Sequence, residues 1–171
     1  MVYRIVKYGD PVLERPAEEV REFDTPELHR LLEDMFESMY AAKGVGLAAP
    51  QIGLSRRIAV VDPSAGEDPG RRIVLINPEI VQTEGWQTVE EGCLSVPGFH
   101  EPVRRARRVT VRAQNARGET FEMTGEELLA RAFQHETDHL NGRLFLSHLS
   151  ALKRDLIRRK IRKLMKAGEW A

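Results

Sequence analysis

The residues best equipped for chemistry lie in one short stretch, Gln134–Gly142, which reads QHETDHLNG. It holds His135, Glu136 and His139 in the order His-Glu-x-x-His. On an α-helix, residues four apart share a face one turn apart, so the two imidazoles can point at one place. Glu136 is rotated by about 100° around the same helix and stands beside that place. Two nitrogen ligands with an adjacent carboxylate are how one helix presents a metal ion together with a proton acceptor. The bland alternative is a pair of surface histidines on a polar helix. A catalytic site of this kind needs a third protein ligand. Three candidates follow from the sequence: Glu169, the last glutamate of the chain; His148, beyond a linker without the glycine spacing of the longer histidine motif; and Cys93, in EGCLS (Glu91–Ser95). A lone cysteine is more often a small buried hydrophobe than a ligand, but an incomplete histidine pair in the same chain favours ligation.

The elements that must position these residues can be read from spacing and caps. Thr25, Pro26 and Glu27 open a helix that Gly44 closes near Lys43. Leu28, Leu31, Leu32, Met35, Phe36 and Met39 form its core stripe. Gly44–Gln51 (GVGLAAPQ) is too rich in small residues for a strand core and too apolar for an exposed loop. Arg57–Asp62 and Arg72–Val81 read as strands around the polar loop Ser64–Gly70, and Thr88–Leu94 as extended. Arg108–Gln114 and Glu119–Met123 alternate like a hairpin about Asn115–Gly118. Thr124 and Glu127 form a capping box that opens a second helix. On it, Leu128, Ala132, His135 and His139 share one stripe and Leu129, Phe133, Glu136 and Leu140 the next, so the helix is expected to be surrounded by protein with its histidines facing inward. A last helix, from about Ser150 to Lys166, has Leu152, Leu156, Ile157, Ile161, Leu164 and Met165 on its apolar side.

Bulk properties narrow the function classes. A chain of 171 residues without a linker or repeat fits a single catalytic domain, 1–171. Its 26 basic and 26 acidic side chains cancel, so no global field draws it to nucleic acid or to a membrane. No apolar run is long enough to span a bilayer, and the N-terminus lacks the pattern of a signal or transit peptide. Cys93 is the only cysteine, which rules out an intrachain disulfide and fits a reducing compartment. The expectation is a cytoplasmic monomer.

GVGLAAPQ (Gly44–Gln51), EGCLS (Glu91–Ser95) and QHETDH (Gln134–His139) together resemble, in order, the three signature motifs of peptide deformylases. Three separated motifs are far more specific than any one. The resemblance implies an α+β fold in which antiparallel sheets surround a central metal-binding helix, with a C-terminal helix. It implies a hydrolase that removes the formyl group from the formylmethionine of nascent polypeptides. Cys93, His135 and His139 would then hold one divalent metal ion. Fe2+ is implied as the common native metal, with Zn2+ often found instead and Ni2+ or Co2+ compatible with the same ligands. Glu136 would carry the proton of the attacking water, and the Gln51 amide with the Leu94 backbone N–H would face the oxyanion. Gly44, Val45 and Gly46 would pair with the substrate peptide as with an added strand. Val45, Val89, Leu128, Ala132 and His100 would wall the methionine pocket, with Glu91 nearby; the apolar members could equally be plain core. Gln134 could be solvent-exposed or support a ligand. Thr137 stands where many relatives carry an apolar residue.

Other functions stay open on the sequence. A zinc peptidase of the His-Glu-x-x-His type would have no need of Cys93. A thiol enzyme would use Cys93 as nucleophile with a histidine base. A ribosome-associated binding protein would retain the site as a relic, against which the complete ligand set, Glu136 and Gln51 all speak. The basic face of the last helix (Lys153, Arg154, Arg158, Arg159, Lys160, Arg162, Lys163, Lys166) is either a solvated surface or a contact with ribosomal RNA phosphates.

Overall fold

The computed structural model describes residues 1–170. In chain order its elements are α1 (Pro26–Ala41), β1 (Gly46–Ala48), β2 (Ile58–Val61), β3 (Ile73–Glu84), β4 (Gln87–Gly92), β5 (His100–Arg105), β6 (Arg108–Gln114), β7 (Thr120–Glu126), α2 (Glu127–Leu140) and α3 (Ala151–Lys166). A five-stranded sheet has the order β1-β2-β3-β6-β7, and β4 and β5 pair separately. Every pairing of these strands is antiparallel.

The large sheet is covered on both faces, which explains the unbroken apolar run of β2. Ile58 and Val60 join the cluster of α1, built on Leu28, Met35 and Met39, while Ala59 and Val61 face the cluster of Phe133 and Leu140 on α2. α1 starts where its sequence requires: Thr25 accepts from the Leu28 N–H at 3.1 Å. Small side chains at Ala48, Ala59 and Ala130 let α2 approach the sheet closely, and all three are fully buried.

Four features differ from the sequence reading. Gly46–Ala48 is an edge strand, pairing Gly46 with Val61 and Ala48 with Ala59; three small residues are too few to show a strand pattern. β5 carries no strand signature because Pro102 and its charged neighbours suit only an edge position. Thr124 does not cap α2. It lies within β7, its hydroxyl 2.8 Å from that of Thr110, and the β6 ladder continues to the pair Arg108–Glu126. The chain then turns directly into α2 at Glu127, whose φ is 52°, with no side-chain cap bond. Lastly, α3 seats mainly Ile157 and Ile161, against Val103, Phe145 and Leu149, while Leu152, Leu156 and Met165 stay exposed. A helix resting on a two-stranded hairpin buries one ridge rather than a broad face.

Candidate metal centre

α2 passes between the two sheets and contributes the His-Glu-x-x-His residues. The hairpin supplies the rest: β4 ends at Gly92, and the chain folds back at once through a turn in which the Val96 N–H donates to the Cys93 carbonyl at 2.9 Å. Cys93 Sγ lies 3.3 Å from His139 Nε2, which in turn is 3.2 Å from His135 Nε2. All three donor atoms fall within 4.8 Å of one another. Nitrogen and sulfur ligands about 2.0–2.3 Å from a shared tetrahedral ion stand roughly 3.2–3.8 Å apart, so the cluster has the size and donor chemistry of a metal site.

Electrostatics favour a cation here. Burial pushes the His139 pKa well below the ordinary imidazole range, keeping its lone pair available. Burial opposes a positive charge on His135 too, but hydrogen bonding to Cys93 and Glu91 outweighs it and raises its pKa. The groups that favour a proton on this ring favour a metal ion equally. His135 Nδ1 is 2.7 Å from Glu91 Oε2, the carboxylate partner that commonly orients a ligating imidazole.

Glu136 is buried, and its Oε1 makes no hydrogen bond among the described residues. Burial pushes its carboxyl up to about 7. A Cβ on residue 46 would overlap its Oε2, so Gly46 is needed to admit the carboxylate. The gap that the sequence suggested for an approaching backbone is filled at Gly46 by Glu136. A Cβ at Gly44 would similarly come within 3.1 Å of Leu94.

Gln51, at the end of GVGLAAPQ, is 2% exposed. Its Oε1 accepts from the Ala48 N–H at 3.0 Å, and its amide NH2 faces Ser95 Oγ at 3.2 Å and Cys93 Sγ at 3.6 Å. The amide is therefore held with its donor toward the ligand cluster. No backbone carbonyl among the described residues accepts from the Leu94 N–H. A cavity of about 480 Å³ opens beside these groups, lined by Gln51, Cys93, Leu94, His135 and Glu136. Gly44, Val45, Gly46, Glu91, His100, Leu128 and Ala132 also line it, whereas Val89 lies outside the lining and is partly exposed.

Sequence reasoning missed the support behind the candidate ligands. Arg105, at the end of β5, is nearly inaccessible and donates through Nε and Nη2 to both oxygens of Glu91, at 2.9 and 2.7 Å. Its Nη1 donates to Asp138 Oδ2 at 2.9 Å, and His148 Nε2 approaches the same oxygen at 2.8 Å. Burial would raise the Glu91 pKa, yet Arg105 and His135 together hold it at about 2. Glu91, placed by the sequence beside the substrate pocket, thus spends its carboxylate on Arg105 and His135. Asp138, one turn from His135, was a signal available in the sequence; Arg105 had none. Gln134 clamps α2 to the β5–β6 connection through the N–H and carbonyl of Ala106, at 3.0 and 2.9 Å.

Residues 2–155 match the family described as polypeptide deformylase. The peptide deformylase of Acidobacterium capsulatum is 64% identical over 170 residues, covering 99% of each chain. The crystal structure of a peptide deformylase from Legionella pneumophila superposes with a TM-score of 0.89 at 48% identity, over 98% of each chain. That of the Plasmodium falciparum enzyme gives 0.88 at 37% identity, over 96% of each chain. Agreement of this extent in both sequence and fold leaves one conclusion: the chain belongs to the polypeptide deformylase family.

Proposed function

We propose that this chain is a metal-dependent hydrolase that removes the formyl group from the N-terminal formylmethionine of nascent polypeptides, releasing formate. The observation that carries the reading is the convergence of Cys93, His135 and His139 donor atoms beside the buried Glu136 carboxylate. Those three residues would hold the ion. Fe2+ is the proposed native metal, and Zn2+, Ni2+ or Co2+ suit the same donors. A divalent ion held there would supply Lewis acidity to acidify the attacking water and polarise the formyl oxygen.

The remaining work falls to the chain. Glu136 accepts the proton of the attacking water, and its pKa of about 7 lets it return that proton to the departing amine. Water oxygen bonds to the formyl carbon, the carbon–nitrogen bond breaks, and formate and a free amine leave. Gln51 Nε2–H and the Leu94 N–H donate to the formyl oxygen as its negative charge grows, and the Ala48–Gln51 bond fixes the amide in advance. Gly44–Gly46 offers main-chain pairing to the peptide. Val45, Leu128, Ala132 and His100 receive the methionine side chain with Val89 at the rim. A formate-release assay on formyl-Met-Ala-Ser with an anaerobic preparation tests this. Turnover should accompany about one equivalent of iron, be abolished by a chelator and return with Fe2+, Co2+ or Ni2+. Metal-independent turnover, or cleavage of internal peptide bonds instead, would refute it.

The basic face of α3 is proposed to contact ribosomal RNA phosphates. The helix is well capped by Ser150 and has most of its charges exposed, and the family match ends at residue 155, within its first turns. Co-sedimentation with ribosomes should weaken steeply as salt is raised and vanish on truncation at Ser150. Unchanged sedimentation after truncation would leave α3 as an ordinary solvated helix.

A further inference from the structure

Arg131 sits on α2 at the wall of the cavity, four residues before His135. Its charge lacks the partner that its position would ordinarily supply. Glu127, one turn earlier and well placed for an i, i+4 pair, is turned away to Arg107 Nε at 3.0 Å. Glu91 is committed to Arg105 and His135. Glu90 also borders the cavity, but among the described residues it makes no ion pair with Arg131, whose guanidinium bonds to Gln87 instead.

What holds Arg131 is neutral. Its Nη1 donates to Gln87 Oε1 at 3.1 Å. Gln87 is itself locked, its Nε2 donating to the carbonyls of Ala106 and Glu127, both at 3.1 Å. The guanidinium is thereby oriented without being neutralised. Lys43, exposed on the cavity rim, adds a second positive charge.

We propose that Arg131 is a specificity-determining residue that favours substrates with an acidic side chain in the first two positions after the formylmethionine. The proposal rests on the deformylase reading of the site. Four helical residues span about 6 Å along α2, and an extended peptide advances about 3.3 Å per residue. A chain whose formyl group lies at His135 and that runs along α2 toward its N-terminus would present its next residues at the level of Arg131. A carboxylate there meets five N–H donors, already oriented, of which one is used by Gln87.

The test compares kcat/KM for formyl-Met-X-Ser and formyl-Met-Ala-X, with X as Asp, Asn or Lys, on the metal-loaded enzyme. Asp should exceed Lys by about fivefold to tenfold in at least one series, chiefly through KM, with Asn between them. The preference should flatten as ionic strength rises, disappear in Arg131→Leu and reverse in Arg131→Glu. The salt dependence is read on the unaltered chain, so it decides the question even where a variant fails to fold. Equal kcat/KM for the three peptides, or a preference that persists in Arg131→Leu, would overturn the proposal. Absence of formate from every formyl peptide would instead strike the deformylase reading on which it rests.

Discussion

Glu136→Gln is expected to yield a folded, metal-loaded protein whose turnover on formyl-Met peptides falls by about a thousandfold or more, the usual worth of a positioned proton carrier. Glutamine preserves the size of a side chain packed against Gly46, so neither the ligands nor the sheet need move. Turnover and metal content measured on one preparation separate this outcome from loss of the site; wild-type activity in the variant would refute the role of Glu136. A second readout follows from linkage. The folded-state carboxyl titrates at about 7, above its ordinary value of 4.5, because burial disfavours its charge. Ionisation therefore weakens the metal-free protein as pH rises from 4.5 to 7. Above pH 7 the glutamine variant should be the more stable of the two apoproteins, by on the order of 3 kcal/mol, with the difference closing toward pH 4.5. Thermal unfolding across that range would show it.

Arg105→Met should be the most damaging single change to stability outside the apolar core. It strands two carboxylates, Glu91 and Asp138, that arginine satisfies from inside the protein. Removing one partner of a buried ionic group costs about 3–5 kcal/mol, which in a chain of this size lowers Tm by roughly 10 °C. His135 loses the rigid backing of its Glu91 partner, so metal affinity should drop by about tenfold to a hundredfold. The pH dependence has a definite sign. The Glu91 pKa is depressed from 4.5 to about 2, so its contribution is complete above pH 4.5 and is lost as pH falls toward 2. The gap between wild type and variant should narrow over that window in urea titrations. A gap of constant width would mean that Arg105 acts by packing alone.

How much of this was legible in the sequence depends on the range over which each signal acts. α1 and the His-Glu-x-x-His helix declare themselves through local periodicity, and β6 is bounded as its alternation indicates. Cys93 is favoured as third ligand by the incomplete histidine pair, whereas Gln51 could be joined to the site only by resemblance, since no local rule brings residues 51 and 135 together. The Thr124–Glu127 capping pattern misled because strand pairing across β6–β7 overrides a local cap. The Arg105 network is invisible in the sequence for a similar reason: arginine at the end of a short charged strand looks solvent-facing until the hairpin folds over α2.

The crowding of α2 constrains how the molecule can change over time. From Leu129 to Leu140 no side chain is freely exposed, and nearly every position there serves a ligand, the buried carboxylate, the core or a clamp. Exposure leaves most room for change in its first turn, at Glu127 and Leu128. An inhibitor gripping the ligand end would meet a wall that mutation can scarcely remodel without unfolding it. One that leans on Leu128 or on the hairpin around Val89 would press where burial constrains the side chains least, and resistance should arise there before it arises at the ligand end.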